Sequence, residues 1–324
     1  LISYLFRSSL KSRVKAKQPM NKIAIIDLGT NTCNLLITEY QGIDYRIRYQ
    51  GKEVVKLGKG GIHKNELTKD GLERAVTAVK RHRERIGQYN ISDVTVIATS
   101  AIRDATNKDW FRYEFEKATG YNLQIISGEK EAELIFNGVK LAFAEIENHT
   151  LILDIGGGSN EFILTENGQS IWKQSFPLGM ARVIEKFPLS DPMTTTEIRM
   201  INNWFISELG SLWKRLKNVQ PPVLIGCSGA FDTIADLIDQ TEPGTKTRIR
   251  QEIARTDFND IFAKLVRSTT DERSLMKGME PIRIEMIVPS VLFIKLVIEQ
   301  LNIPKIYQTD YALREGVLFE RIFS

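Results

Sequence analysis

The chain has 324 residues, 42% hydrophobic and 26% charged, a composition that suits a globular protein of about two ordinary domains. No apolar run reaches the roughly 18–20 residues that a membrane span needs, and the best stretch, Ile287 to Ile298, is short and holds Pro289 and Lys295. The net charge of +4 invites a nucleic-acid reading, but Arg7, Lys11, Arg13, Lys15 and Lys17 carry it. The remaining 39 basic residues face 40 acidic ones, so no nucleic-acid partner is expected for the body.

Residues 1–19 read as a basic arm outside the folded part, with Met20 as the expected start. A presequence or a tail touching nucleic acid would carry the same charge. Cys33 and Cys227 are too few for a disulfide framework and read as small buried hydrophobes in a reduced cytoplasm. His63, His82 and His149 lack ligand spacing, which removes a zinc site and a Ser–His triad. Chemistry here must use carboxylates, backbone amides, Arg and Lys, with a hard metal ion as an option.

Along the chain, Ile23–Asp27 and Cys33–Tyr40 read as strands around the turn LGTNT, and Tyr45–Leu57 as a third strand bent near Gly51. Thr68–Tyr89 has helical periodicity, and Val94–Ala98 is a short apolar strand. A helix over Lys108–Thr119 ends at Gly120, where glycine relieves the C-terminus. After a strand at Leu123–Ile126, Ser127-Gly128-Glu129 opens a long helix to about Ile146. The second half restarts with strands at Leu151–Asp154, Glu161–Thr165 and Ser170–Phe176. Helices are expected at 179–187 and 195–217, then a strand at Val223–Gly226 and a tight CSGA turn into a helix at Phe231–Ile238. Further helices are expected at 256–267, 271–277 and 281–301, a last strand at Lys305–Gln308, and then YALREGVLFERIF.

The main architectural signal is an internal repeat. Asp27-Leu28-Gly29-Thr30-Asn31-Thr32 aligns with Asp154-Ile155-Gly156-Gly157-Gly158-Ser159, each between two apolar strands. One Asp-Gly turn is ordinary hairpin chemistry. Two, opening two α/β halves, point to duplicated halves facing each other across a cleft, where small ligands bind.

Glycine lets backbone approach a ligand closely, and successive N–H groups in such turns bind anions. Thr30, Asn31, Thr32 and Ser159 add side-chain donors. Asp27 and Asp154 would repel phosphate unless Mg²⁺ lay between carboxylate and phosphate oxygens. Glu161, on the return strand, points to the same mouth. Arg103, just after a strand, can orient phosphoryl oxygens, or can be a surface residue paired with Asp104. Glu129, Glu131 and Glu133 begin the crossover helix. They complement the helix dipole, and one of them can act as a general base at the cleft.

With these residues in view, DLGTNT, TSAIRDATN, ISGEKEAELIFNGV, LDIGGGSNEF, GCSGAFDTIA, RIEMIVPS and YALREGVL, in that order from Met20 onward, resemble the exopolyphosphatase / guanosine pentaphosphate phosphohydrolase family. The resemblance implies two ribonuclease-H-like domains of the actin-like, sugar-kinase and heat-shock ATPase superfamily around a central cleft. Their expected bounds are 21–128 and 129–310, with 311–324 packing back on the first. It implies Mg²⁺-dependent hydrolysis of terminal phosphoanhydride bonds. It places the catalytic glutamate on Glu131, with Lys130 where an adjacent acid is common. Asp154 and Glu161 match the acids tied to metal and water positioning, and the loop chemistry above adds Asp27 at the metal. Asn31, Arg103, Gly156, Gly157, Gly158 and Ser159 match phosphate contacts, to which the loop chemistry adds Gly29, Thr30 and Thr32. Asn160 stands where Thr is frequent, and longer members carry a C-terminal region this chain does not, which bears on processivity. The expected substrate is inorganic polyphosphate, with guanosine pentaphosphate as the alternative. A kinase or ATPase of the same superfamily, or a non-catalytic phosphate or alarmone sensor, would use similar loops. The family also allows a homodimer through the second domain.

Overall fold

Residues 20–323 are described by a computed structural model; the basic arm expected at 1–19 lies outside the described residues. The first half runs β1 (Asn21–Leu28), β2 (Thr32–Gln41), β3 (Asp44–Val54), α1 (Lys69–Gly87), β4 (Val94–Ala98), α2 (Ser100–Arg103), α3 (Lys108–Thr119), β5 (Leu123–Ile125) and the crossover helix α4 (Gly128–Ala142). The second begins β6 (Leu151–Ile155), β7 (Asn160–Glu166), β8 (Gln169–Phe176), α5 (Met180–Lys186), α6 (Thr195–Glu208), α7 (Gly210–Leu216), β9 (Val223–Cys227) and α8 (Ser228–Asp239). It continues with β10 (Gln251–Ile253), α9 (Arg255–Arg267), α10 (Thr270–Ser274), α11 (Ile287–Gln300), β11 (Lys305–Thr309) and α12 (Leu313–Phe323).

Sheet order repeats with the motif. The first sheet is β3-β2-β1-β4-β5, and the second is β8-β7-β6-β9-β11 with β10 added at its edge. In each, the first three strands are antiparallel and the next two run parallel to the motif strand.

Period-two alternation decides which side chains meet. On β1, Ala24, Ile26 and Leu28 pack under α1 and α3, while Ile23 and Ile25 face α4 and α12. On β6, Leu151, Leu153 and Ile155 join the core under α5–α11, while Ile152 faces α4 and α12 from the other side. Two helices are thus sandwiched between two sheets. They approach closely because glycine stands at the crossing: a Cβ on Gly138 would lie 2.0 Å from the Ala312 carbonyl, and one on Gly316 1.8 Å from that of Leu134. Asp27, Asp154 and Glu161 continue the inward-facing alternation at the strand ends, so the fold buries them in the middle layer beside the start of α4.

Several expected bounds shift for local reasons. α4 starts as expected, with Ser127 Oγ accepting from Lys130 N, but ends at Ala142. The helix expected over 195–217 breaks at Leu209, just before Gly210, into α6 and α7. The helix expected over 281–301 begins only at Ile287, because Pro289 is tolerated in a first turn; a 3₁₀ turn, Pro281–Arg283, precedes it. The tight turn at CSGA is present, with Ser228 in the left-handed region at φ 65°, but α8 starts at Ser228, directly off β9 and before the expected Phe231. Strand β10 and helix α2 were not expected from the sequence.

Candidate active site

The two glycine loops do more than face each other. A Cβ on Gly157 would lie 2.4 Å from Asn31 Nδ2, and one on Gly158 2.5 Å from Thr30 Oγ1 and 2.6 Å from Ser100 Oγ. Only glycine permits that approach. Asn31 Nδ2 itself donates toward Met286 Sδ at 3.2 Å, and the Thr30 and Asn31 carbonyls accept from Leu57 N and Val55 N.

Beneath the loops lies a cavity of about 150 Å³. Asp27, Gly29, Thr30, Asn31, Thr32, Glu131, Asp154, Gly156, Gly157, Gly158, Ser159 and Glu161 all line it. Arg103 alone among the expected site residues does not. Its guanidinium stands in the wall: Nη1 donates to Glu131 Oε2 at 2.5 Å, Nε to Asp104 Oδ1 at 3.2 Å, and Nη2 to Ser159 Oγ at 3.5 Å. The alternatives left open for Arg103 are therefore combined, since it pairs with Asp104 and with Glu131 at once. Of the three helix-start glutamates, only Glu131 is buried; Glu129 and Glu133 pair with Lys173 outside.

The repeat extends seven residues past each motif aspartate. Asp27 pairs in register with Asn34, whose Nδ2 donates to it at 3.1 Å. Asp154 pairs in register with Glu161. The first half thus has a carboxylate and an amide where the second has two carboxylates. Asp154 accepts from Ser228 Oγ at 2.8 Å, and Glu161 Oε1 accepts from Ser159 and Ser175, each at 2.6 Å.

Burial dominates the electrostatics. It pushes the Asp27 carboxyl up to about 6, against the lowering hydrogen bond from Asn34. It pushes Asp154 up to about 7, against the Ser228 hydrogen bond. Glu131 also rises to about 7, because burial outweighs the Arg103 guanidinium beside it, and Glu161 rises well above its usual range. These groups keep protons in the folded state that the unfolded chain has released by about pH 5. Metal-free protein is therefore expected to lose stability as pH rises from about 4 to about 7. Glu197, held down at about 2, opposes the trend only up to about pH 5, where its unfolded form has finished titrating, and His82, buried neutral, opposes it nearer pH 6. Thermal unfolding in chelator at pH 5 and pH 8 checks this, and a higher midpoint at pH 8 would contradict it.

Sequence reasoning missed several residues that share the cavity: Ser100, Ser228, Asp232, Arg283, Asp310 and Arg314. Arg283 stands out. It is buried, its Nε and Nη1 have no hydrogen-bond partner, and its guanidinium presses on Gly229, where a Cβ would lie 2.1 Å from Nη2. Burial holds its pKa below the usual arginine value. The quoted stretch RIEMIVPS contained it, but nothing in that stretch tells a cavity arginine from a helix-start arginine.

The donor set fits a hard divalent cation. Six carboxylates line the cavity against Lys52, Arg283 and Arg314. Among the described residues no three His, Cys, Asp or Glu side chains converge enough to hold an ion alone, so Asp27, Asp154 and Glu161 do not form one cage. A site of one or two carboxylates completed by phosphate oxygens and water is what Mg²⁺ takes. Cys33 and Cys227 are free and buried, and no helix of the described residues is long and apolar enough to cross a membrane.

Comparison with known proteins adds an independent line. The family model described as the Ppx/GppA phosphatase family matches residues 39–324. The chain is 35% identical to an exopolyphosphatase from Cytophaga hutchinsonii of known crystal structure, with a TM-score of 0.89, covering 94% of this chain and 98% of that one. It is 25% identical over 305 residues to exopolyphosphatase 1 of Mycobacterium bovis, covering 94% of this chain and 89% of that protein. It is 32% identical over 292 residues to a bifunctional 3-dehydroquinate synthase/phosphatase of Fusobacterium nucleatum; the match takes in 85% of this chain but only 43% of that protein.

Proposed function

The chain belongs to the Ppx/GppA phosphatase family, and on that premise we propose that it releases the terminal phosphate of inorganic polyphosphate. The observation that carries the reading is Glu131. It sits at the start of α4, faces the cavity beneath both glycine loops, and has a pKa lifted to about 7 by burial. A general base works best with a pKa near the operating pH.

In this reading the terminal phosphoryl group lies under Gly156–Ser159 and Gly29–Thr32, with Arg283 aimed at its oxygens. Glu131 accepts a proton from the attacking water, and Arg103 fixes the carboxylate through Nη1. Asp154 and Asp27 are the residues placed to hold Mg²⁺, which would offset negative charge on the transferring group. Glu161, held by two serine hydroxyls, orients the Ser159 end of the loop.

Polyphosphate of defined length tests the reading. Products each shortened by one phosphate at a time support it, and internal fragments contradict it. Asp154→Asn should raise the Mg²⁺ concentration needed for half-maximal rate, and an unchanged Mg²⁺ titration would remove Asp154 from the ion.

One observation favours guanosine pentaphosphate as the second reading. A hollow of about 500 Å³ lies on the far side of Asn31, walled by Ile184, Phe187, Met193 and Met286. An apolar wall suits a nucleoside better than a chain of phosphates.

A further inference from the structure

Arg182 lies on α5, outside the carboxylate cavity, and its guanidinium makes four hydrogen bonds. Nε donates to the Gly158 carbonyl at 2.8 Å. Nη1 donates to the Ile62 carbonyl at 3.3 Å and to Asn65 Oδ1 at 3.1 Å. Nη2 donates to Asp104 Oδ2 at 2.7 Å. Gly158 belongs to the glycine loop of the second half, whereas Ile62, Asn65 and Asp104 belong to the first. One planar group therefore ties the phosphate loop of one half to two segments of the other.

Asp104 continues the path. Its Oδ2 also accepts from Ser100 Oγ at 3.1 Å, and its Oδ1 accepts from Arg103 Nε, while Arg103 Nη1 donates to Glu131. The charges alternate along Arg182–Asp104–Arg103–Glu131. We propose that Arg182 is a positioning residue: by clasping the two halves it sets Asp104, and through it the Arg103–Glu131 pair, so that the base is correctly aimed only when the halves are held together. This rests on the hydrolase reading above.

Two exposed pairs across the cleft do not do the same work. Lys52 pairs with Glu280 at 3.0 Å and His63 lies 3.3 Å from Glu185, but the Lys52 and His63 side chains are about half exposed, at 42% and 56%. Exposed pairs contribute little. The Arg182 side chain is only 16% exposed, and its four acceptors need a rigid fork that lysine does not have.

The test measures phosphate release by the parent, Arg182→Ala, Arg182→Lys, Asp104→Asn and the Arg182→Ala/Asp104→Asn double variant, normalised to folded protein. Small misplacement of a catalytic group costs on the order of 10²-fold. Arg182→Ala should therefore lose about that much in kcat with KM little changed. Arg182→Lys should fail similarly, and added guanidinium should restore part of the rate to Arg182→Ala. The double variant should be no slower than the slower single, as residues acting as a unit are not additive. Parental kcat in Arg182→Ala, or full rescue by lysine, would overturn the proposal. Hydrogen exchange at 156–159 and 61–65 supplies a readout independent of activity: both should exchange faster in Arg182→Ala. If the parent releases no phosphate, the hydrolase reading falls, and unaltered exchange in the variant would then overturn the clasp as well.

Discussion

Glu131→Gln is expected to lower turnover about 10²–10⁴-fold, the usual contribution of a positioned base. The substitution is nearly isosteric, and Gln still offers a carbonyl oxygen to Arg103 Nη1. Burial and the wall of the cavity should survive, and with them much of the substrate binding. What is lost is the ability to take a proton from water. The pH profile of the parent should report the same group. Burial lifts Glu131 to about 7 despite the neighbouring Arg103, and only the deprotonated form can act. The rate should therefore rise with pH through about 7 and then level, and the glutamine variant should lack that limb. Turnover intact in Glu131→Gln would remove this residue from the mechanism.

Arg283→Met is expected to separate activity from stability. The guanidinium is buried with Nε and Nη1 unpartnered, a costly state for a charged group without a ligand. Methionine fills similar space without that cost, so the melting temperature in substrate-free, metal-free buffer should hold or rise. A donor aimed at developing charge is typically worth about 10²–10³ in kcat. The variant should lose activity on that scale, and inorganic phosphate with Mg²⁺, expected to raise the melting temperature of the parent, should no longer raise that of the variant. A destabilised variant that keeps its rate would show that Arg283 serves packing alone.

These two residues differ in how far the sequence revealed them. Asp27, Asp154 and Glu161 were legible because a carboxylate on an apolar strand, in step with its inward residues, must lie where the buried face ends. The duplicated sheets were legible for the same reason: both motif strands open the same order of pairing. Glu131 was legible as one of three acids at a helix start, and the resemblance chose among them. Arg283 was not, since its aim depends on the 3₁₀ turn Pro281–Arg283 and on the delayed start of α11. The sequence reads as one continuous apolar helix there. Nor was the pairing of Arg103 with Glu131, which needs the unforeseen helix α2 to turn the side chain into the wall. Arg182 follows the same rule. Its partners come from three separated segments, and no local spacing encodes that meeting.

The most direct measurement is free phosphate released with Mg²⁺ from long-chain polyphosphate and from guanosine pentaphosphate in parallel, by the parent protein and by Glu131→Gln. The account predicts release from polyphosphate by the parent and a loss of about 10²–10⁴-fold in the variant; the ratio of the two parental rates ranks the substrates. No release from either substrate by a folded parent that still binds them would contradict it, and would shift the reading to a sensor or to a kinase without its acceptor.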